Sequence, residues 1–163
     1  MKFVTSYYAR INEIREKYPD YVIVSISGGL EEHIEPLVDI WDRRLAPKKD
    51  FFIVYKNSPP GFKREQEYVK QFKKRVLIRE DDVTLNDILK SWSDRAGLNR
   101  TFVIMCYEAN EPGSASFCHR RIVAEAIEQK YAIEIPELFF DYENYEIKDY
   151  KVQAKETLDE DEW

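Results

Sequence analysis

The chain has only two cysteines, Cys106 and Cys118, and two histidines, His33 and His119, among 163 residues. No Cys-x-x-Cys pair is present, which removes the thioredoxin motif and the paired knuckles of many structural zinc sites. Two cysteines in a chain without a leader pattern point to a reducing compartment, and so to free thiols rather than a structural disulfide. Glycine is scarce. Its one Gly-Gly step, in Ser27-Gly28-Gly29, fits no phosphate-loop fingerprint and is expected to be a turn. No apolar run approaches the roughly 20 residues of a membrane span, and no basic-then-apolar signal opens the chain. A cytoplasmic protein with no membrane partner is the expectation. No internal repeat is visible.

Aromatic residues are plentiful: eleven Tyr, nine Phe and three Trp. The net charge of -6 is unevenly placed. Residues 137–163 hold ten acids and three bases, a net of -7, which leaves the body at +1. The chain therefore divides into residues 1–136, long enough for one core, and an acidic, aromatic extension over residues 137–163. The end of that extension, from Glu156 to Trp163, reads as a solubilising, frayed terminus.

Residues 2–8 start as a strand, Ile11, Ile14 and Tyr18 lie on one helical face, and Tyr21 to Ile26 form a β-branched strand. Residues 33–41 suggest one or two helical turns, with His33 at the surface, and residues 50–55 fit either strand or helix. Residues 62–77 read as an amphipathic helix, with Phe62, Val69, Phe72 and Val76 on one side. Its lysines and Arg75 form a solvated face that could also meet a nucleic-acid backbone. Thr84 caps the next helix, with Asp87 at its third position, and that helix ends near Gly97. A strand at 101–107, a helix near 119–130 and a last short strand at 131–136 complete the pattern. Alternating strands and helices predict an α/β protein, a three-layer sandwich around a small, mostly parallel sheet.

The chemistry concentrates at one place. Phe102 to Met105 is a buried-type strand that runs out into Cys106-Tyr107-Glu108, and Cys118-His119-Arg120-Arg121 opens the helix that follows. Ligands of open parallel sheets bind beyond the carboxyl ends of strands. The unpaired N–H groups of a helix start attract anions and favour a thiolate. Three chemistries fit these residues. Cys118 could be a reactive thiol, with His119 as proton carrier, Glu108 as its carboxylate partner and Arg120 or Arg121 as anion clamp. Cys106, Cys118 and His119 with a carboxylate could hold zinc. Against it, adjacent Cys and His side chains diverge on a helix and no paired Cys-x-x-Cys knuckle is present, so no cofactor is expected and zinc stays only as the lesser alternative. The site could also bind an anion without covalent chemistry.

The paired motifs resemble the Domain of Unknown Function 488 family, whose signature is a strand ending in Cys-x-Glu followed by a helix opening with Cys-His-Arg. Thr5-Ser6-Tyr7-Tyr8-Ala9 and Leu45-Ala46-Pro47 are similar to segments of that family, and the likeness spans most of residues 2–135. It implies a small α/β protein of bacterial, archaeal or phage type with no established general activity. It also singles out Cys106, Glu108, Cys118, His119 and Arg120, with Thr5, Ser6 and Tyr7 as secondary candidates. The connecting segment, Ala109 to Phe117, is longer than usual there.

The resulting expectation has His119, Glu108 and Cys118 as the catalytic group of a thiol-dependent transferase or hydrolase. Arg120, Arg121, Cys106, Tyr107, Ser6 and Tyr7 would contact a small anionic or nucleotide-like ligand. The competing expectation is a non-enzymatic binding factor, of a phage or host-defence kind, that uses the same pocket or the acidic C-terminal region.

Overall fold

The strand that carries the predicted site is buried from Phe102 to Cys106. In a computed structural model, which describes residues 1–79, 81–108 and 118–140, β4 (Thr101–Cys106) lies inside a four-stranded sheet. Its neighbours are β1 (Lys2–Tyr7) and β2 (Val22–Ser25), and β3 (Ile40–Trp41) pairs with β2 at the far edge. The order is β1-β4-β2-β3 and every pairing is parallel. A parallel strand between two others must be apolar on both faces, and Phe102, Val103, Ile104 and Met105 meet that demand.

Alternation divides those side chains between two layers. Phe102 and Ile104 join Phe3, Val24 and Ile26 against α3 (Phe62–Phe72), α4 (Leu85–Ala96) and α5 (His119–Tyr131), through Phe72, Trp92, Val123 and Ile127. Val103 and Met105 join Val4 and Ile23 against α1 (Ile11–Lys17), through Ile11 and Ile14. Each such side chain contributes about 1.5–3 kcal/mol when fully buried. The result is the α/β sandwich read from the sequence.

Several elements differ from expectation. Residues 33–41 give a 3-10 turn at Glu35–Leu37 and then β3, a strand too short to show a period. The ambiguous run at 50–55 is helix α2 (Lys49–Asn57). In the next helix Phe62 is exposed and Tyr68 takes its place in the core. Tyr68, Phe72 and Val76 recur every fourth residue, and a π-helical turn at Lys73–Leu77 keeps Val76 on the buried side. Thr84 and Asp87 make the predicted reciprocal cap of α4.

No strand forms at 131–136. Ala132 takes a left-handed conformation (φ 52°) at the end of α5, and Ile133 is exposed. Instead the segment just beyond runs alongside β1. Thr5 N–H donates to Pro136 O at 3.0 Å and Leu138 N–H donates to Thr5 O at 2.9 Å. Glu137 is therefore built into the α/β unit. The predicted frayed end, the aromatic run past residue 140 and the long 109–117 connection lie outside the described residues.

Candidate functional site

β4 ends at Cys106 because the next two residues leave the ladder at the carboxyl edge of the sheet. Beside it, β2 ends at Ser25 and passes into Ser27-Gly28-Gly29, which bends at Gly28 where a turn was expected. A cleft of about 600 Å³ opens between these two strand ends, where parallel sheets place their ligands. Tyr107, Glu108 and His119 form its polar end, and Phe52 and Tyr55 of α2 with Tyr68 of α3 form an aromatic wall. Lys49 and the Ser27–Gly29 backbone complete the rim.

The cleft is braced from below. Tyr8 is buried beneath the turn, and its hydroxyl lies 2.6 Å from Ser25 Oγ and 2.8 Å from Ser27 Oγ. Burial pushes the Tyr8 hydroxyl pKa up, so it stays a neutral hydrogen-bonding group. The Tyr107 ring meets the Tyr8 ring edge-on at 4.6 Å, while its hydroxyl accepts from Glu31 N–H at 2.8 Å. Glu108 is partly open to solvent, with Oε1 4.0 Å from Lys56 Nζ.

His119 is buried at the back of the cleft. Its Nε2 is 3.0 Å from Ile26 O, and a carbonyl only accepts, so Nε2 carries the proton. Nδ1 is left as the lone-pair nitrogen, with no hydrogen-bond partner among the described residues. Desolvation holds the imidazole pKa below its ordinary value, which keeps the ring neutral around pH 7.

Cys118 is the N-cap of α5 and has an extended backbone (φ -135°, ψ 134°). That conformation removes one of the two reasons held against a metal. Cys118 is not on the helix proper, so its side chain need not diverge from that of His119. Sulfur, carboxylate and imidazole ligand atoms of Cys106, Glu108, Cys118 and His119 all lie within 4.8 Å of one another. The expectation of two free thiols is corrected as well. Cys106 at the strand end and Cys118 at the helix cap are joined as a disulfide, across a Cα separation of 7.4 Å.

The two arginines stand elsewhere than predicted. Arg120 has no exposed surface and turns away from the cleft, towards β1. It pairs with Glu137 (Nη2 to Oε1, 2.9 Å) and donates from Nη1 to Glu108 O at 2.6 Å and to Cys106 Sγ at 3.3 Å. Arg121 donates to Thr5 Oγ1 at 2.9 Å and to Ile135 O at 2.8 Å, and Thr5 Oγ1 in turn donates to Glu137. Successive residues on a helix turn by about 100°, so only His119 of the His-Arg-Arg run faces the cleft. Ser6 is buried on β1, and its Oγ makes no hydrogen bond among the described residues. The Tyr7 hydroxyl accepts from Arg10 Nε at 3.0 Å, and neither residue borders the cleft.

This geometry sits inside a match to known sequences. Residues 6–131 fit the family described as "DUF488-N3a: Active DUF488-N3 subclade". The chain belongs to the DUF488 family. No curated protein and no solved structure matches it. Both DUF488 motifs, Cys106 to Glu108 and Cys118 to Arg120, fall within the matched residues, whereas Glu137, the carboxylate beside Arg120, lies beyond them.

Sequence reasoning did not find the aromatic wall, Lys49, the Tyr8 brace or Glu137 as parts of the DUF488 site. Phe52 and Tyr55 sit in a run that fitted either strand or helix, and Tyr68 sits on a helix that read as an ordinary amphipathic segment. Only their docking over the β2 and β4 ends reveals them. The one available signal was the excess of tyrosine.

Proposed function

We propose that this protein binds a nucleotide-like ligand in the cleft and acts on it at the end formed by Glu108 and His119. One observation carries the reading: Phe52, Tyr55, Tyr68 and Tyr107 surround a cavity of about 600 Å³ whose inner end holds a carboxylate and a neutral imidazole. Aromatic rings hold a planar base by stacking, worth about 1–3 kcal/mol per base. Lys49 supplies a positive charge at the rim for a phosphate, beside the Gly28 and Gly29 backbone. Glu108 is the group placed to carry a proton, and His119 holds its lone pair at Nδ1.

A second reading is favoured by the disulfide. Bonding Cys118 to Cys106 withdraws the nucleophile, so in this state the cleft supports ligand capture rather than thiol-dependent transfer or hydrolysis. One experiment separates the readings. Calorimetric titration with purine and pyrimidine nucleotides should find a binder, and Tyr55→Ala should weaken it about 5- to 150-fold. Under the enzyme reading Glu108→Gln keeps that binding and loses turnover, in reduced or oxidised protein. Binding without turnover in both redox states selects the capture role. Failure of every nucleotide to bind, or binding untouched by Tyr55→Ala, ends the nucleotide reading.

A further inference from the structure

We propose that, with the two sulfurs reduced, Cys106, Cys118, His119 and Glu108 form a four-ligand site for a zinc-type divalent ion. The ligand atoms already lie within 4.8 Å of one another. A tetrahedral ion with bonds of about 2.0–2.3 Å needs neighbouring ligands about 3.3–3.8 Å apart. The side chains thus need shifts of roughly 1 Å, within reach of rotamer adjustment at a strand end and a helix cap. The backbone suits this use. The Cα atoms of Cys106 and Cys118 are 7.4 Å apart, wider than the roughly 4.4–6.8 Å that disulfides usually span. That separation leaves room for an ion between the sulfurs.

Two further contacts are those that a ligated site requires around it. His119 donates Nε2–H to Ile26 O, which fixes the tautomer and presents Nδ1 as the ligand nitrogen. Arg120 donates from Nη1 to Cys106 Sγ at 3.3 Å. Two thiolates and a carboxylate exceed the charge of a divalent ion by one, and the Arg120 N–H steadies the Cys106 thiolate by hydrogen bonding while its own charge is shared with Glu137. Sulfur and imidazole ligands select zinc or cobalt(II) over magnesium or calcium. Glu108 is the most exposed of the four, so it is the ligand an incoming substrate oxygen could displace.

Reduction by a phosphine breaks the S–S bond with two electrons from phosphorus and two protons from water, whose oxygen leaves as the phosphine oxide. Both protons pass to solvent when the thiolates take the ion. The site shares His119 and Glu108 with the cleft, yet it rests on the sulfur cluster and not on the nucleotide reading. Its test uses no organic ligand. Full-length protein, reduced with a phosphine and freed of reductant under argon, is titrated with cobalt(II) alone. One equivalent should produce a thiolate-to-cobalt charge-transfer band and the strong visible bands of a four-coordinate ion, and zinc should bleach both. The oxidised parent should show neither. His119→Gln should weaken uptake by at least about tenfold, and Cys118→Ser should lose most of the charge-transfer intensity. Reduced parent that takes up no cobalt, or a charge-transfer band unchanged in Cys118→Ser, overturns the proposal. The parent comparison decides even where a variant misfolds.

Discussion

Replacing Glu137 by Gln tests whether the end of β4 is held by a buried ion pair. Arg120 and Glu137 have side-chain exposures of 0% and 1%. At that depth water cannot compensate a guanidinium that loses its carboxylate. Removing one partner of a buried pair costs about 3–5 kcal/mol, because the remaining charge stays buried. Gln keeps the shape and one acceptor, but it turns an NH2 towards Arg120 or Thr5, so the loss should fall within that range. For a chain of this length each kcal/mol moves the melting temperature by about 2–4 °C, which predicts a fall of roughly 6–20 °C. Glu137→Asp retains the charge and should lose less than half as much. The assay is thermal unfolding followed by circular dichroism at pH 7, checked by urea titration. A Gln variant melting within about 2 °C of the parent would refute both the burial of the pair and the docking of residues 136–138 on β1.

Two smaller perturbations probe the frame around the site. Asp42 is buried and accepts from Trp92 Nε1 at 2.7 Å and from Arg44 Nη2 at 2.6 Å, so Asp42→Asn should cost about 1.5–3 kcal/mol in urea unfolding. Desolvation alone would raise the Asp42 pKa, but the Arg44 and Trp92 hydrogen bonds outweigh it and hold it below its ordinary value. Its contribution is therefore complete above about pH 4 and is lost as pH falls through the folded-state pKa. A parent whose urea midpoint, relative to the Asn variant, does not shrink on acidification contradicts this. Thr84→Ala removes one side of the α4 cap and should lower stability by about 1 kcal/mol, or about 2–4 °C by thermal melt; no change would mean the cap is satisfied by water.

Legibility followed the strength of the local pattern. β4, α4 and α5 were readable because an unbroken apolar run, a capping pair and a helical period each leave little choice. β3 has two residues and no period to read, and the expected strand at 131–136 failed although its residues suit one. Ala132 turns the chain there, and this segment pairs with β1 later, at Glu137. The site was legible as a place: Cys106, Tyr107, Glu108, Cys118 and His119 do converge. It was not legible as a geometry. Adjacent charges at a helix start suggested an anion clamp, but rotation about the helix axis sends Arg120 and Arg121 to the sheet, where their partners come from β1 and from residues past the helix.

The burial of Arg120 is hard to justify by stability alone. Well-packed apolar side chains in place of both Arg120 and Glu137 would be as stabilising or more so, since desolvating an ion pair consumes most of its attraction. What an apolar side chain cannot do is reach three targets at once. Arg120 grips Glu108 O, Cys106 Sγ and Glu137 together. It thereby fixes the residues that end β4 against the first turn of α5, the two pieces of backbone that carry Tyr107, Glu108 and His119 at the polar end of the cleft. The third residue of the Cys-His-Arg motif is on this account a positioning residue. Its carboxylate anchor is supplied by the segment that follows α5, outside the stretch that matches the DUF488 family. If so, Glu137→Gln should disturb the cleft as well as the core: the cobalt affinity of reduced protein should fall below that of the parent at temperatures where both are fully folded. Unchanged affinity in the folded variant would reduce Arg120 to a structural ion.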